Sequence, residues 1–383
     1  MPLRITPSVR TSILFYVGNP SMNVVDIELR RLLRQLTLGS SVKPDNLLEE
    51  RESFFQTRHA RRRKSPMFKY KNDSAAWDGV KPSLPLESMN APEEVIDIYR
   101  EKEQELGMTK KMFAAIGSDD FTRFSIEIFG APTVEDVHEA LEVLKRLSHA
   151  FPPERDCTAR EFAKLLKKRI RGFGIAMDVK LNPYMTTKVW VDSVSRGIHL
   201  NQSALFASQE IERLLVHEVD VHAVRIHNGS CFPWGIFAMG AAGYREAEEG
   251  LAVYHEGQRG YLYPYQEKIY AGRCLAVHLS LLSGFEDVFD ALLAYFDEST
   301  AYSIVQRIKR GMEDTSRPGA LTKDFHYFTG PGRVRSYLAA GGDLQMLMGG
   351  KIAFSHASVI AKLVHDAAVD VSKWVFPARE NDD

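Results

Sequence analysis

An apolar segment from Leu214 to Val224 carries two histidines and lies inside a helical pattern that begins near Ser208. His217 and His222 are five residues apart, which places their side chains about 140° apart on a regular α-helix. In a π-type turn, residues i and i+5 instead lie on one face. The sequence therefore predicts one of two outcomes. Either the helix bulges at Val219–Val221, or the two histidines do not bind one metal ion.

A His-Glu pair followed by a second His is typical of zinc hydrolases, in which two imidazoles bind the metal and a carboxylate lies beside its water. Glu218 has the position of that carboxylate. A His, His, Glu set with an open fourth position is a known catalytic zinc site. The alternative is that the histidines make ordinary hydrogen bonds and that the later glutamates only complement a helix dipole. The spacing leaves the third ligand open among Glu246, Glu248, Glu249, Glu256, His227 and His255.

The remaining pattern predicts an α+β fold that is mainly helical, with a small, mostly antiparallel sheet before the histidine segment. Thr133 and Thr158 each precede a helical stretch, and Thr158 with Glu161 has the form of a capping box. Residues 174–206 are rich in strand formers, and Ser195-Arg196-Gly197 predicts a turn between strands. We expect the chain to be mainly helical after this region.

We divide the chain into an N-terminal region, residues 1–90, which is partly irregular, and a main domain, residues 91–383. The first region contains the basic run Arg58–Lys64. We interpret this run as a solvated loop or helix end, because no aromatic residues interleave with its charges. The 49 Lys and Arg residues balance 50 Asp and Glu residues, which argues against a nucleic-acid partner.

The composition also indicates where the protein functions. The three cysteines are far apart in the sequence, which argues against a disulfide framework and is typical of a reducing compartment. No apolar stretch approaches the ~20 residues needed to cross a bilayer. We therefore expect a cytoplasmic protein that has no membrane partner. The sequence carries no signal for an oligomeric state.

Five segments between about residues 120 and 355 share the pattern of a known family: Phe121–Gly130, Leu215–His222, Glu248–Ala252, Leu321–Tyr327 and Gly349–Ile352. They resemble the QEGLA-motif family. This family includes bacterial proteins labelled flavohemoglobin expression-modulating. It also includes the eukaryotic microtubule-associated tyrosine carboxypeptidases, which remove the C-terminal tyrosine of α-tubulin.

The resemblance implies a zincin-like metallopeptidase domain over residues 91–383, with one Zn2+ per chain. It implies that Glu218 is the catalytic base. Two positions differ from the family pattern, since Glu248 stands where the family has Gln and Asp220 where many members have Gly. We expect Asp220 to add negative charge near the metal. The metal ligands that the resemblance implies are His217, His222 and Glu249.

The leading hypothesis is a zinc-dependent metallocarboxypeptidase that hydrolyses the C-terminal bond of a peptide or protein. Such an enzyme needs a cation for the substrate's terminal carboxylate, and a guanidinium group suits this role. The strand near Ile198–Leu200 is a candidate for pairing with an extended peptide. Tyr244, Tyr254 and Tyr327 are candidate donors to the oxyanion. The candidates for substrate binding are Arg307, Arg310, Lys323 and Tyr327.

The alternative hypothesis is a non-catalytic regulatory or binding protein that retains the same fold. The regulatory label of the bacterial relatives favours this alternative. The role of Glu218 separates the two hypotheses, because an enzyme needs its carboxylate for turnover and a binding protein does not.

Overall fold

The computed structural model describes residues 23–71, 77–185 and 187–377. Helices dominate these residues and two small sheets accompany them, so the predicted mainly helical α+β fold is confirmed. The first 22 residues of the predicted N-terminal region lie outside the described residues, as do residues 378–383. Within the described ranges, no helix combines the length and the apolar character that crossing a membrane would require.

Capping boxes begin two of the helices that precede the sheet. Thr133 forms its box with Asp136, and Thr158 forms the predicted box with Glu161. Each box satisfies backbone N–H groups that the first turn leaves free, so it determines where the helix begins. The described helices of this part are α1 (Val24–Gln35), α2 (Leu38–Ser41), α3 (Leu47–His59), α4 (Glu93–Ala114), α5 (Asp120–Phe129), α6 (Val134–Arg146) and α7 (Ala159–Gly172).

The strands form a three-stranded sheet, in the order β2-β4-β3, and a two-stranded antiparallel sheet of β1 and β5. In the larger sheet, β4 pairs antiparallel with β3 but parallel with β2. The expected mostly antiparallel sheet is therefore wrong for the β2–β4 pair. A turn reverses the chain between β3 and β4, so β4 runs in the direction of β2. The strands are β1 (Cys157–Thr158), β2 (Asp178–Asn182), β3 (Val189–Asp192), β4 (Gly197–Asn201) and β5 (Leu205–Phe206).

The second part of the chain is mainly helical, as expected. Its first three helices follow one another without a break, so one rod from residue 211 to residue 229 contains a single π-helical segment. The helices are α8 (Ile211–Leu215), the π-helix (Val216–Ala223), α9 (Val224–Gly229), α10 (Ile236–Met239), α11 (Tyr244–Gln258), α12 (Pro264–Leu282), α13 (Phe285–Leu292), α14 (Glu298–Ile308), α15 (His326–Ala339), α16 (Leu344–Met348) and α17 (Ala357–His365).

Two hydrophobic clusters form the interior. The first joins α1, α4, α7, the three-stranded sheet and the rod to the C-terminal helices α16 and α17. The second joins α3 and α6 to α12, α13 and α14. Helices α11 and α15 pack against each other beside the π-helix. They cross where Gly250 meets Gly330, since a Cβ atom on Gly250 would lie 2.7 Å from the oxygen of Gly330. This close crossing places the first turn of α15 beside the π-helix.

The described part of the N-terminal region packs against the rest of the chain. The buried carboxylate of Asp26 on α1 accepts hydrogen bonds from the hydroxyl of Tyr99 and the backbone N–H of Gly235. In the basic run, Arg58 and Arg63 form ion pairs with acidic residues of α13. These two arginines are thus engaged within the chain. The division at residue 90 stays a prediction.

Candidate active site

The rod that carries the two histidines widens where their spacing requires it. Residues Val216–Ala223 form a π-helix, in which side chains five apart lie on one face. The centroids of the imidazole rings of His217 and His222 consequently lie 4.7 Å apart, with an angle of 84° between the ring planes. Of the two predicted outcomes, the widened helix is the one observed.

Glu249 of α11 completes a cluster of three potential metal ligands with these histidines. One donor atom from each residue lies within 4.8 Å of the other two. Oε2 of Glu249 is 3.3 Å from Nε2 of His217 and 3.9 Å from Nε2 of His222. This oxygen is buried, and no described residue donates a well-aligned hydrogen bond to it. We call these three residues the ligand cluster.

The ligand cluster fits a zinc ion. Donor atoms about 2.0–2.2 Å from a tetrahedral zinc lie roughly 3.4 Å from one another, close to the observed separations. A buried carboxylate oxygen that lacks a hydrogen bond and faces two imidazole nitrogens is an arrangement that a cation satisfies. Burial raises the pKa of Glu249, but His217 and His222 together lower it to about 2, so its carboxylate is ionised.

The other candidates for the third ligand take different positions. Glu248 and Glu256 contact the far sides of the imidazoles, at the Nδ1 atoms. The remaining three have partners elsewhere: Glu246 contacts Arg333, His227 contacts the backbone oxygen of Lys373, and His255 packs against Tyr254.

Each imidazole therefore has a carboxylate next to its Nδ1 atom. Nδ1 of His217 lies 2.7 Å from Oε1 of Glu256. Nδ1 of His222 lies 3.0 Å from Oε1 of Glu248, at ion-pair distance but without the alignment of a hydrogen bond. A carboxylate at Nδ1 favours the tautomer with its proton on that nitrogen, which leaves the Nε2 lone pair available to a metal. Both Nε2 atoms face Glu249.

Buried cations balance both carboxylates. Glu256 is fully buried and accepts a hydrogen bond of 3.1 Å from Arg213. Glu248 contacts Nζ of Lys351 at 2.5 Å and the guanidinium group of Arg225. Burial would raise the pKa of Glu248, but Lys351 and Arg225 hold it well below its usual range. Both carboxylates thus have cationic partners inside the protein.

Glu218 is the one residue of the π-helix that is not buried. Among the described residues, nothing forms an ion pair or a hydrogen bond with its carboxylate. It directly follows the potential ligand His217 in the chain. An accessible, unpaired carboxylate in this position is able to accept and return a proton.

Asp220 lies away from the ligand cluster. Its fully buried carboxylate is paired with Arg169 of α7, at 2.8 Å from Nε, and with Arg259 at the end of α11. Two guanidinium groups compensate its charge, so the expected addition of negative charge near the metal is not what the contacts indicate. Asp220 instead ties the π-helix to α7 and α11.

Four cationic side chains lie near the buried carboxylate of Asp324, and two of them, Arg307 and Lys323, also interact electrostatically with Glu249 of the ligand cluster. Arg307 forms two hydrogen bonds with Asp324, and Lys323 contacts it at 2.5 Å. Neither Arg273 nor Arg310 hydrogen-bonds Asp324, and burial lowers the pKa of both, although the charge of Asp324 opposes this shift. We call Arg273, Arg307, Arg310 and Lys323 the cation cluster.

The positive charge of the cation cluster exceeds its local compensation. Nε of Arg310 is buried without a hydrogen-bond partner among the described residues. Arg273 contacts no described carboxylate, and its guanidinium lies 5.0 Å from the ring centroid of Tyr327. Burial lowers the pKa of Arg310 to about 10 and that of Lys323 to about 8, although Asp324 opposes both shifts. Such a cluster favours an anionic ligand.

Tyr327 links the two clusters. Its ring is stacked on that of His217, at 6.2 Å between centroids and 12° between planes. It is also stacked on the ring of Tyr270, at 5.3 Å between centroids. The other two candidate tyrosines have different neighbours, because Tyr244 contacts Lys351 and Tyr254 packs against His255. Tyr327 is thus the candidate oxyanion donor in contact with a potential ligand.

Arg273 was not predicted from the sequence, because it belongs to none of the motifs found there. A weaker signal was present, because Arg273 is the one charged residue in the stretch from Ala271 to Val277. A charged side chain inside an apolar helical stretch needs a partner or a function. The four residues predicted from the sequence lie together around Asp324, and one of them contacts the ligand cluster through His217: Arg307, Arg310, Lys323 and Tyr327.

The strand that was expected to pair with a peptide lies in the centre of the sheet. Residues Ile198–Leu200 belong to β4, whose two edges are occupied by β2 and β3. That prediction is wrong, because a central strand has no free backbone edge. β3 is an edge strand of this sheet and packs beside the π-helix.

Comparison with known proteins identifies the family. The sequence profile of the microtubule-associated tyrosine carboxypeptidases matches residues 52–382. The chain belongs to this family. The relationship indicated by the motifs is confirmed, and the match begins inside the predicted N-terminal region.

Curated relatives match over a shorter segment. The protein named microtubule-associated tyrosine carboxypeptidase 1 is 32% identical to this chain over 131 residues in Mus musculus and in Rattus norvegicus. The protein of the same name from Homo sapiens is 30% identical over 131 residues. The matched segment covers 32% of this chain and 27% of each relative.

Proposed function

We propose that this chain is a zinc-dependent metallocarboxypeptidase with a zincin-like catalytic domain. The observation that carries the proposal is the π-helix, which brings His217 and His222 to one face opposite Glu249. A helix widened by one residue is rare and is frequently found at functional sites. The family to which the chain belongs supports the carboxypeptidase part of the proposal.

His217, His222 and Glu249 would hold the metal. When bound there, zinc supplies a water of lowered pKa and polarises the carbonyl of the bond to be cleaved. Glu218 accepts the proton of the attacking water and returns it to the leaving amine. Its partial exposure leaves it accessible to both groups. Tyr327, stacked on His217, is placed to donate a hydrogen bond to the developing oxyanion.

The cation cluster would bind the terminal carboxylate of the substrate. Asp324 occupies hydrogen-bonding positions of Arg307 and Lys323, which leaves Arg273 and Arg310 available to a second carboxylate. An amidated C-terminus lacks the negative charge that this cluster attracts. The protein would therefore release residues from free C-termini and not from amidated ones.

The name of the curated relatives supports tyrosine as the preferred terminal residue. We expect the substrate to be a peptide or protein whose chain ends in tyrosine. Peptides that differ only in a terminal Tyr, Phe or Ala measure this preference. A site that hydrogen-bonds the phenol discriminates strongly against Phe, whereas an apolar pocket discriminates weakly.

The first test is metal content by mass spectrometry of the full chain and of His222→Ala. We expect about one zinc per chain, lost in the variant. Absence of stoichiometric zinc from the unaltered chain, even after zinc is supplied, would overturn the proposal and favour the non-catalytic alternative.

The second test is the rate of hydrolysis of paired peptides with free and amidated C-termini. Glu218→Gln should lower turnover of the free peptide by about 10²–10⁴-fold and retain zinc, because only the proton-accepting group is removed. Unchanged turnover in this variant would contradict the role of Glu218. Zinc binding without hydrolysis of any free peptide would support a binding protein.

A further inference from the structure

The segment Gly349–Ile352 is a sequence landmark for which the proposed reaction has no use. It brings Lys351 into the interior, where its side chain is only 6% exposed. The backbone N–H of Lys351 donates to the oxygen of Phe237 at 2.7 Å, and its carbonyl accepts from Ala241 at 2.9 Å. A Cβ atom on Gly350 would lie 2.9 Å from the same Phe237 oxygen. The glycine thus allows the close approach that buries Lys351.

The side chain of Lys351 contacts Glu248, the carboxylate that lies at Nδ1 of His222. Its Nζ lies 2.5 Å from Oε1 of Glu248, the same oxygen that is 3.0 Å from Nδ1 of His222. The other oxygen, Oε2, contacts Arg225. Arg225 also donates to the backbone oxygens of Leu347, at 3.1 Å, and of Ile352, at 2.9 Å. Glu248 is therefore held between two cations, and both contacts involve the segment around Gly349–Ile352.

The imidazole of His217 also has a carboxylate at Nδ1, that of Glu256, but the cation paired with this carboxylate lies nearby in sequence. The cation behind Glu256 is Arg213, which lies four residues before His217 on the same rod. Lys351 is more than a hundred residues from His222 in sequence. Only the packing of the C-terminal segment can bring it to Glu248.

We propose that Lys351 is a positioning residue for the metal site, acting on His222 through Glu248. The inference rests on the proposed function, in which His222 is a ligand. Lys351 holds the Glu248 carboxylate in place at 3.0 Å from Nδ1 of His222, so that the imidazole keeps its orientation and Nε2 stays directed at the metal. Residues that orient a ligand in this way typically change metal affinity by about 10–100-fold when they are replaced.

The formal charges give the inference a sharp test. Glu248, Lys351 and Arg225 together carry a net charge of +1. Lys351→Met lowers it to 0, Glu248→Gln raises it to +2, and the double variant restores +1. The amide oxygen of a glutamine at position 248 can still accept the proton of Nδ1. The double variant should therefore bind metal more tightly than either single variant.

The measurement is the zinc dissociation constant of the full chain, determined by competition with a chromophoric chelator. The unfolding temperature of the metal-free protein is recorded for each variant. We expect Lys351→Met to raise the dissociation constant by about 10–100-fold. Lys362→Met is the matched control, because Lys362 is 56% exposed and pairs with Glu94 on the surface. It should leave the dissociation constant unchanged.

A purely structural role gives a different result. If Lys351→Met lowers the unfolding temperature but leaves the zinc dissociation constant unchanged, the inference is overturned and the proposed function is not. If the unaltered chain binds no zinc, the proposed metal site itself is overturned, and the inference with it. Additive effects of the two substitutions would also contradict the inference, since they would show no coupling through Glu248.

Lys351→Met places an apolar side chain beside two charged groups, and this variant can fail to fold. Lys351→Gln then replaces it, with Lys351→Arg as the control that retains the charge. The inference expects a weaker zinc affinity for Lys351→Gln than for Lys351→Arg. Equal affinities in these two variants would overturn it.

Discussion

The ligand cluster and the cation cluster lie side by side, but their charges are organised in opposite ways. Beside the two imidazoles, the buried carboxylates have buried cations as partners, since Glu256 pairs with Arg213 and Glu248 pairs with Lys351 and Arg225. In the cation cluster, four positive side chains share the single carboxylate of Asp324. In the first arrangement each of the three cations contacts a carboxylate. The second leaves positive charge for a ligand to satisfy.

On the proposed function, this difference separates groups that maintain the site from groups that would bind a substrate. Removing one partner of a compensated buried pair leaves an isolated charge, which lowers stability. Removing a cation from a cluster that already has an excess of them relieves repulsion, but it weakens the binding of an anion. The two regions should therefore respond to substitution with different measurable losses.

The largest effect is expected at Asp220. Asp220→Ala removes the carboxylate that Arg169 and Arg259 share. Because this carboxylate is fully buried, the free energy of unfolding should fall by about 3 kcal/mol or more. Urea denaturation of the metal-free protein measures this change. A loss below about 1 kcal/mol would contradict the expectation that removing the partner of a buried charge lowers stability here.

Arg273→Gln should affect binding and leave stability intact. An ionic hydrogen bond contributes about 1.5–3 kcal/mol, so the KM for a peptide with a free C-terminus should rise about 10–100-fold. The unfolding temperature should stay the same or rise, because Arg307 loses a neighbour of like charge. Arg273→Gln is also introduced into the Glu218→Gln protein, and the binding of the free and amidated peptides to these two proteins provides a second readout. An unchanged ratio of these two affinities in Arg273→Gln would contradict the role of Arg273.

A smaller effect is expected from the pH. Burial lowers the pKa of Lys323 to about 8, so its positive charge is present below this pH and is lost above it. The KM for a free peptide should therefore rise by several-fold as the pH increases through 8. Lys323→Arg keeps its charge throughout this range and should remove the dependence. A pH profile of KM that is the same in both proteins would exclude Lys323 from carboxylate binding.

The smallest effect is expected on the surface, at Arg63. This side chain is 58% exposed and forms ion pairs with Asp287 and Asp290, and its contact with the more buried Glu286 is a longer one of 3.6 Å to a carboxylate that Arg58 also holds. Arg63→Gln should change the free energy of unfolding by about 0.5 kcal/mol or less, because water and salt screen exposed pairs. The same urea titration as for Asp220→Ala provides the value. A loss comparable to that of Asp220→Ala would show that burial does not separate the two cases.

Much of the secondary structure and part of the site were predictable from the sequence. The capping box at Thr158 and the helical rod depend on neighbouring residues, so their signals are local. The spacing of His217 and His222 led to the π-helix as one of two outcomes. The parallel pairing of β2 with β4 was not predictable in this way, since it depends on how strands far apart in sequence are arranged.

The grouping of Arg307, Arg310, Lys323 and Tyr327 follows from their proximity in sequence, whereas the addition of Arg273 does not. Arg273 lies on α12 and reaches the group only because α12 packs against α14 and α15. The same holds for Lys351, which reaches Glu248 through the turn that begins at Gly349. Contacts of this kind depend on packing between distant elements.

The sequence by itself determined which residues offer metal-binding chemistry and required an irregular helix if both histidines were to bind one ion. The tertiary structure alone decided that Glu249 lies at the Nε2 atoms of the imidazoles, whereas Glu248 and Glu256 lie at their Nδ1 atoms. It also decided that Asp220 pairs with two arginines, whereas Arg273 contacts no carboxylate among the described residues. Spacing along one helix is a local property, whereas the partner of a buried charge is chosen by the packing of the whole chain.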